Sequence, residues 1–225
     1  MRGSGNGLGE SPAPPSRLAA LRGELTARDL DGFIIPLADE HQGEFVPSRA
    51  RRLAWLTGFT GSAGTAVVLA DKAAIFVDGR YILQVREQVD MSLFDPLHVT
   101  ETPPHEWIAM NMAAGAALGY DSWLHTPDGV ERLRSACTHA QAQFTATDGN
   151  PVDAVWADQP ARPLTPARAH APRHAGVGSK EKRDAVAAEL AKSNADAVAL
   201  TAPDSICWLL NIRGGDVPNT PLTLC

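Results

Sequence analysis

Histidine, cysteine and paired carboxylates are the side chains through which a protein of this size could hold a metal or a nucleophile. The chain carries seven histidines, His41, His98, His105, His125, His139, His170 and His174, and they are scattered along it. Metal-assisted hydrolysis needs several Asp, Glu and His groups converging on one ion or a close pair. No HExxH is present, nor any dense carboxylate–histidine run. His170 and His174 have the spacing of a helical metal pair, but prolines at 160, 163, 166 and 172 argue against a helix there, and two ligands are too few. Cys137, Cys207 and Cys225 lie far apart without a CxxC pair, which fits a reducing compartment and excludes a zinc knuckle or disulfide framework.

Two short motifs remain. GFTGSAG at 58–64 has glycines at every third position, the pattern of a loop that aims amides at a phosphate. Such a loop opens a helix and often carries a lysine; this one precedes an apolar run and has none, so a structural turn is favoured. Ser62 also lacks the strand–turn–helix setting of a nucleophile elbow. In Asp78-Gly79-Arg80-Tyr81 the glycine permits a tight turn, the aspartate can accept nearby amides, and Arg80 can fork onto a carboxylate either structurally or at a ligand. By residue chemistry the structural role is preferred, and no convincing catalytic set emerges.

The elements that must position these motifs alternate. Residues 1–15 lack periodicity and read as a disordered head. Ser16 is a candidate N-cap for a helix with Leu18, Leu21 and Leu25 on one face, stopped by Asp31-Gly32. Phe33-Ile34-Ile35 reads as a buried strand, and Ser48 opens a second helix ending at Gly58. Runs 66–69 and 73–77, joined by three residues, predict an antiparallel hairpin. Helices are expected over 81–89, 104–112 and 126–139, and strands over 117–120 and 144–147. Helices alternating with strands define an α/β class.

Hydrophobic residues make up 44% of the 225 positions and charged residues 20%, enough for a buried core. The net charge of -6 excludes a general nucleic-acid binder, and no apolar run is long enough to cross a bilayer. A soluble cytoplasmic protein is expected.

The chain reads as four parts: the head at 1–15, a first domain at 16–158, a Pro-rich linker at 159–178, and an incomplete second domain at 179–225. The last part repeats the first. Ser179 caps a helix carrying Val186 and Leu190, Asn194-Ala195-Asp196 turns into an apolar strand at 197–200, and Pro203 opens a helix with Ile206, Trp208 and Leu209. Trp55 precedes Gly61 by the same six residues that separate Trp208 from Gly214. The DGRY turn starts seventeen residues after Gly61, so its counterpart falls past Cys225. Residues 221–225 then match a hairpin strand without its partner, and the chain is expected to stop partway through the second copy.

Five stretches taken together resemble one family. FIIP followed by Asp39-Glu40-His41-Gln42, GFTGSAGT at 58–65, DGRY at 78–81, VWAD at 155–158 and WLLNIRGGD at 208–216 occur in the order seen in the N-terminal portion of the three-domain cytosolic aminopeptidase P (Xaa-Pro aminopeptidase). The resemblance implies two creatinase/prolidase N-terminal-type α/β domains, each a mixed sheet flanked by helices, ahead of a separate catalytic domain. In the family that domain binds two divalent metals, typically manganese, and cleaves peptides with proline at the second position, commonly as a homodimer. No metal ligand or catalytic residue can be carried over to this chain. It is expected to bind no cofactor and to be inactive alone. His41, Arg80 and Arg213 are the candidates for the rim of the substrate cleft. A stand-alone scaffold or binding module of the same fold is the alternative, and a nucleotide-binding α/β protein, resting on the glycine loop alone, is a third.

Overall fold

The structure is a computed structural model and describes residues 13–225. Residues 1–12 of the expected head lie outside the described residues. The chain divides into two compact units, one of residues up to 37 with 52–159, the other of 38–51 with 160–225. This differs from the sequence expectation in that 38–51 and residues 160–178 of the expected linker group with the second unit.

In the first unit α1 spans Pro14–Ala27. It starts ahead of the expected Ser16 cap because Pro14 and Pro15, with fixed φ and no amide to satisfy, suit the first helical positions. Ala13 is the N-cap, and the Ser16 hydroxyl donates to the Ala13 carbonyl at 2.7 Å. Strand β1 (Gly32–Pro36) follows, then α2 (Arg52–Thr57), β2 (Thr65–Leu69), β3 (Ala73–Val77), α3 (Ile82–Gln88), β4 (Asp95–His98), α4 (Pro104–Asn111), β5 (Ala117–Tyr120), α5 (Pro127–His139), β6 (Gln143–Ala146) and α6 (Pro151–Val155). Thr126 caps α5 as its position before proline suggested, its Oγ1 accepting the Gly129 amide at 3.2 Å.

The strands form a mixed sheet in the order β4-β3-β2-β1-β5-β6. The β2–β3 hairpin is antiparallel, β1 runs antiparallel to β2 and parallel to β5, and β4 and β6 extend the edges in parallel. Phe33 and Ile35 pack in one layer with Leu18, Leu21, Leu25 and Trp55, while Ile34 packs in the other with Trp107, Ile108 and Leu133. Burial on both faces explains why β1 is a continuous apolar run instead of an alternating one. Edge strand β4 was not foreseen, since its DPLH sequence carries a proline that only an edge tolerates.

The second unit contains β7 (Arg168–Ala169), α7 (Pro172–Ala175), α8 (Ser179–Lys192), α9 (Pro203–Leu210) and β8 (Ile212–Arg213), with β7 antiparallel to β8. The expected linker is therefore partly built into the unit: Arg168 opposes Arg213, and the His170 amide donates to the Asn211 carbonyl at 2.7 Å. Ser179 is inside α8 and donates to the Leu209 carbonyl at 2.8 Å; Gly178 holds the cap position expected for it. Residues 197–200 are not a strand, and Val198 and Leu200 are 50% and 39% exposed. A single extended segment cannot satisfy its amides and carbonyls without a neighbouring strand.

The repeat survives at the level of atoms. Arg17 donates to the Trp55 carbonyl and lies 5.3 Å above its ring; Lys182 donates to the Trp208 carbonyl at 2.9 Å and lies 4.7 Å above that ring. Each first helix ends with an amide reaching back to a leucine carbonyl, Leu30 to Leu25 and Ala195 to Leu190, both at 2.9 Å. Asp29 and Asn194 share a left-handed conformation at those turns, as do Gly58 and Asn211 three residues after each tryptophan. The pairs Arg17/Lys182, Leu25/Leu190 and Asp29/Asn194 are 165 positions apart, whereas Trp55/Trp208 and Gly58/Asn211 are 153 apart. The twelve-residue difference falls in the stretch that contains 38–51. By this correspondence Val198 and Leu200 match Phe33 and Ile35, which β2 and β5 enclose in the first copy.

Candidate functional site

At the end of β3 the chain turns through Asp78-Gly79-Arg80-Tyr81 into α3. Asp78 Oδ1 accepts the Arg80 amide at 2.9 Å and Nε at 3.0 Å, and Oδ2 accepts Nη2 at 2.8 Å. These bonds hold the Asp78 carboxyl below the usual carboxylate range. The Arg80 guanidinium sits 5.1 Å above the Tyr81 ring, with its side chain 63% exposed. Tyr81 Oη and Ser62 Oγ share a 2.7 Å hydrogen bond, which lowers the phenol pKa. The turn is thus internally satisfied, as residue chemistry suggested, while one charged group faces outward from it.

The glycine loop backs this turn. Phe59 is buried and meets Tyr81 edge-on at 5.6 Å. Gly61 lies so close to both rings that an added Cβ would come within 2.3 Å of Phe59 Cζ. The Thr60 amide donates to Gln88 Oε1 at 2.9 Å, and Gln84 and Gln88 both donate to Thr60 Oγ1. An amide committed to a side chain of α3 is not aimed at an anion, so the loop acts as a packed turn. His98 borders the same end of the sheet; its Nδ1 meets Thr100 Oγ1 at 2.7 Å, and a Cβ on Gly79 would lie 3.6 Å from its Nε2.

The other rim candidates lie in the second unit. His41 is half-buried in a turn organised by the buried Asp39, whose Oδ1 accepts the His41 amide at 3.1 Å and the Gly43 amide at 3.2 Å. Arg213, on β8, donates from Nη1 to the Ile212 carbonyl at 2.7 Å and to the Cys207 carbonyl near the end of α9 at 3.3 Å. Each residue is engaged in local backbone contacts.

His170 and His174 place their rings 5.8 Å apart. Burial lowers the His170 pKa, and the positive Arg213, His174 and Lys182 add to this. Among the described residues no three His, Cys, Asp or Glu side chains come together as a metal-binding group. The described residues therefore do not fit a two-metal centre, and no chemical step is assigned through one. Among them, too, no helix is long and apolar enough to cross a membrane.

Sequence reasoning missed the ion pair that ties α2 to α6. Arg52 Nε and Nη2 fork onto Asp153 Oδ1 and Oδ2 at 2.6 and 2.8 Å, beside the stacked rings of Trp55 and Trp156. The partners are 101 residues apart, so no local spacing announces them.

A mixed α/β sheet with helices on both faces, followed by a second unit that repeats its first helical segments, defines a tandem N-terminal-domain architecture. The chain belongs to the creatinase/prolidase N-terminal domain family: one model of that description matches residues 17–155 and another matches 158–225. It is 36% identical over 214 residues to a probable Xaa-Pro aminopeptidase P of Neurospora crassa, covering 92% of this chain and 31% of that protein. It is 36% identical to aminopeptidase P2 of Arabidopsis thaliana, covering 86% and 28%. Among solved structures it is similar to the X-prolyl aminopeptidase of Caenorhabditis elegans, described as a cytosolic enzyme with a di-nuclear active site. That match has a TM-score of 0.84 at 27% identity and covers 94% of this chain and 36% of that one. The chain thus spans about a third of the length of the curated relatives it matches.

Proposed function

We propose that this chain is the non-catalytic N-terminal region of an Xaa-Pro aminopeptidase, in which hydrolysis belongs to a further, metal-bearing domain. The observation that carries this reading is the pair of N-terminal-type domains in series, shared over nearly the whole chain with an X-prolyl aminopeptidase of much greater length. On this reading the substrates are peptides with proline at the second position, the assembly is a homodimer and the location is cytoplasmic. His41, Arg80 and Arg213 contribute to the rim of the substrate cleft. Arg80 suits that task because Asp78 and Tyr81 fix its guanidinium while leaving much of it exposed, so it can meet a peptide carbonyl or carboxylate with little ordering cost.

The test is incubation of the purified chain with Mn²⁺ and an Xaa-Pro peptide, followed by quantitation of the released first residue. No metal-dependent release is expected. Robust turnover that copurifies with the chain through successive columns would overturn the reading. A stand-alone scaffold is separated by the coding sequence after Cys225: an open frame encoding metal-ligand carboxylates supports the proposal, and an immediate stop codon supports the scaffold.

A further inference from the structure

Basic side chains from four elements of the second unit come together on β7, α7, α8 and β8. Arg168 lies directly opposite Arg213 in the β7–β8 pair. Cross-strand partners share a face, and His170, two residues past Arg168, falls on that face as well. The His170 ring is 5.8 Å from the ring of His174 on α7, and Arg173 Nε donates to His174 Nε2 at 3.1 Å. Lys182 adds its ammonium from α8, where it donates to the Trp208 carbonyl at 2.9 Å and to Asn211 Oδ1 at 2.6 Å. The charges that act on His170 are those of Arg213, His174 and Lys182, all positive, with no carboxylate offsetting them. These residues and the contacts that gather them all lie within 168–213.

The cations meet neutral groups instead of acids. Arg213 donates to the carbonyls of Ile212 and Cys207, Lys182 to a carbonyl and an amide oxygen above the Trp208 ring, and Arg173 to an imidazole. No ion pair among the described residues includes Arg168, Arg173, Lys182 or Arg213. Acids of the same unit are engaged elsewhere: Asp184 pairs with Lys180, and Asp216 accepts the amides of Thr165 and Leu224. Like charges directly opposite on paired strands are destabilising, and an anion placed between them removes that cost. The same field repels a metal cation, so the two imidazoles are suited to donate to an anion and not to ligate a metal.

We propose that the face shared by β7, α7 and β8 binds a soluble multivalent oxyanion of the phosphate class, with inorganic pyrophosphate as the simplest probe. The guanidinium groups of Arg168 and Arg213 suit phosphoryl oxygens, onto which arginine forks with two parallel bonds. His174 receives Arg173 on Nε2, which leaves its Nδ1–H to donate. Arg168, Arg173 and His174 are exposed, and His170 and Arg213 are half-buried, so the anion is met from solvent without any rearrangement of the fold. A bound anion favours protonation of both imidazoles. Affinity therefore rises as pH falls toward the ordinary histidine value of about 6.5, for an anion whose own charge stays constant.

The chain is titrated with sodium pyrophosphate by isothermal calorimetry at fixed ionic strength. Saturable binding at one site is expected. His174→Gln should weaken it about 1.5-fold to fivefold, the range of a single exposed charge pair, and Arg168→Glu should weaken it further by reversing a charge. Because Arg168→Glu sets a carboxylate opposite Arg213, its melting temperature should not fall, which separates lost binding from lost folding. Lys192→Gln, which removes a lysine paired only with Glu189, should bind as the wild type does. Sulfate, which keeps its charge across this pH range, should bind more tightly near pH 6 than near pH 8, and His174→Gln should flatten that difference. Heats that do not saturate, or an affinity that Arg168→Glu leaves unchanged, overturn the proposal. So does a chain that sediments with phosphatidic acid vesicles but takes up no pyrophosphate, since the face would then serve a membrane.

Discussion

Replacing Gly61 with alanine separates a packed turn from a ligand cradle at the 58–65 loop. The new Cβ would stand 2.3 Å from Phe59 Cζ, 2.9 Å from Phe59 Cε1 and 2.8 Å from Tyr81 Cδ1, all inside carbon contact distance. Neither ring can retreat freely. Phe59 is 1% exposed, and Tyr81 is held by its edge contact with Phe59 and its hydrogen bond to Ser62. Inserting a carbon into such packing costs about 1–3 kcal/mol. Gly61 is not among the positive-φ residues, so alanine also recovers about 0.4–1 kcal/mol by restricting the unfolded chain. Because neither ring can yield, the cost falls at or above the middle of its range, and the net loss should be about 1.3 kcal/mol or more. Urea unfolding followed by tryptophan fluorescence reads it, since Trp55 and Trp156 are stacked in the same unit. With a urea slope of about 2 kcal/mol/M, the midpoint should fall by roughly 0.6 M or more without a change of slope. Adding Phe59→Leu should make part of the Gly61→Ala penalty vanish, because the two positions share the clash. A loss below about 0.3 kcal/mol, within the usual scatter of such measurements, would refute the packing argument.

Three further outcomes follow from named contacts. Asp153→Asn leaves the largely buried Arg52 guanidinium without its counter-charge and should cost about 2–3 kcal/mol in the same urea assay, whereas Arg52→Met with Asp153→Leu should cost much less. Burial lowers the His125 pKa below 6.5 despite the opposing charge of Asp121, so the unfolded chain binds this proton more readily. Stability should therefore decline as pH falls from about 6.5, by at most about 1.4 kcal/mol per pH unit from this group, and His125→Gln should flatten that part of the profile. Amide exchange at 197–200 should be much faster than at Phe33–Ile35, because the strand bonds of β1 have no counterpart there; equal protection would mean that a partner strand covers 197–200.

Much of the first unit is legible in the amino-acid sequence. The spacing of Leu18, Leu21 and Leu25, the run Phe33-Ile34-Ile35, the hairpin at 66–77 and the Thr126-Pro127 start each encode a local element, and each element forms. The serine caps expected at 16 and 179 are displaced in the fold, because Ala13 and Gly178 hold the cap positions and leave each hydroxyl to bond a backbone carbonyl. The apolar segment 197–200 reads as a strand in sequence, though with alanines in place of the Phe-Ile-Ile of β1, and is irregular. A strand is a property of a pair of segments, and the pair is not visible in one of them.

The candidate site divides along the same line. Residue types at 78–81 are enough to foresee a tight turn with an arginine able to fork onto a carboxylate. That Asp78 is the carboxylate, that Tyr81 reaches Ser62, and that Gly61 must be bare to admit two rings are decided by tertiary packing. Periodicity, turn chemistry and the Trp–Gly repeat determined the class and the duplication, and five short motifs in order carried the resemblance to the family, because those signals act over a few neighbouring residues. The grouping of 38–51 with the second unit and the Arg52–Asp153 pair depend on contacts between segments far apart in the chain. Such contacts form only when burial of apolar faces brings the segments together, and no local pattern records which side chains will then touch.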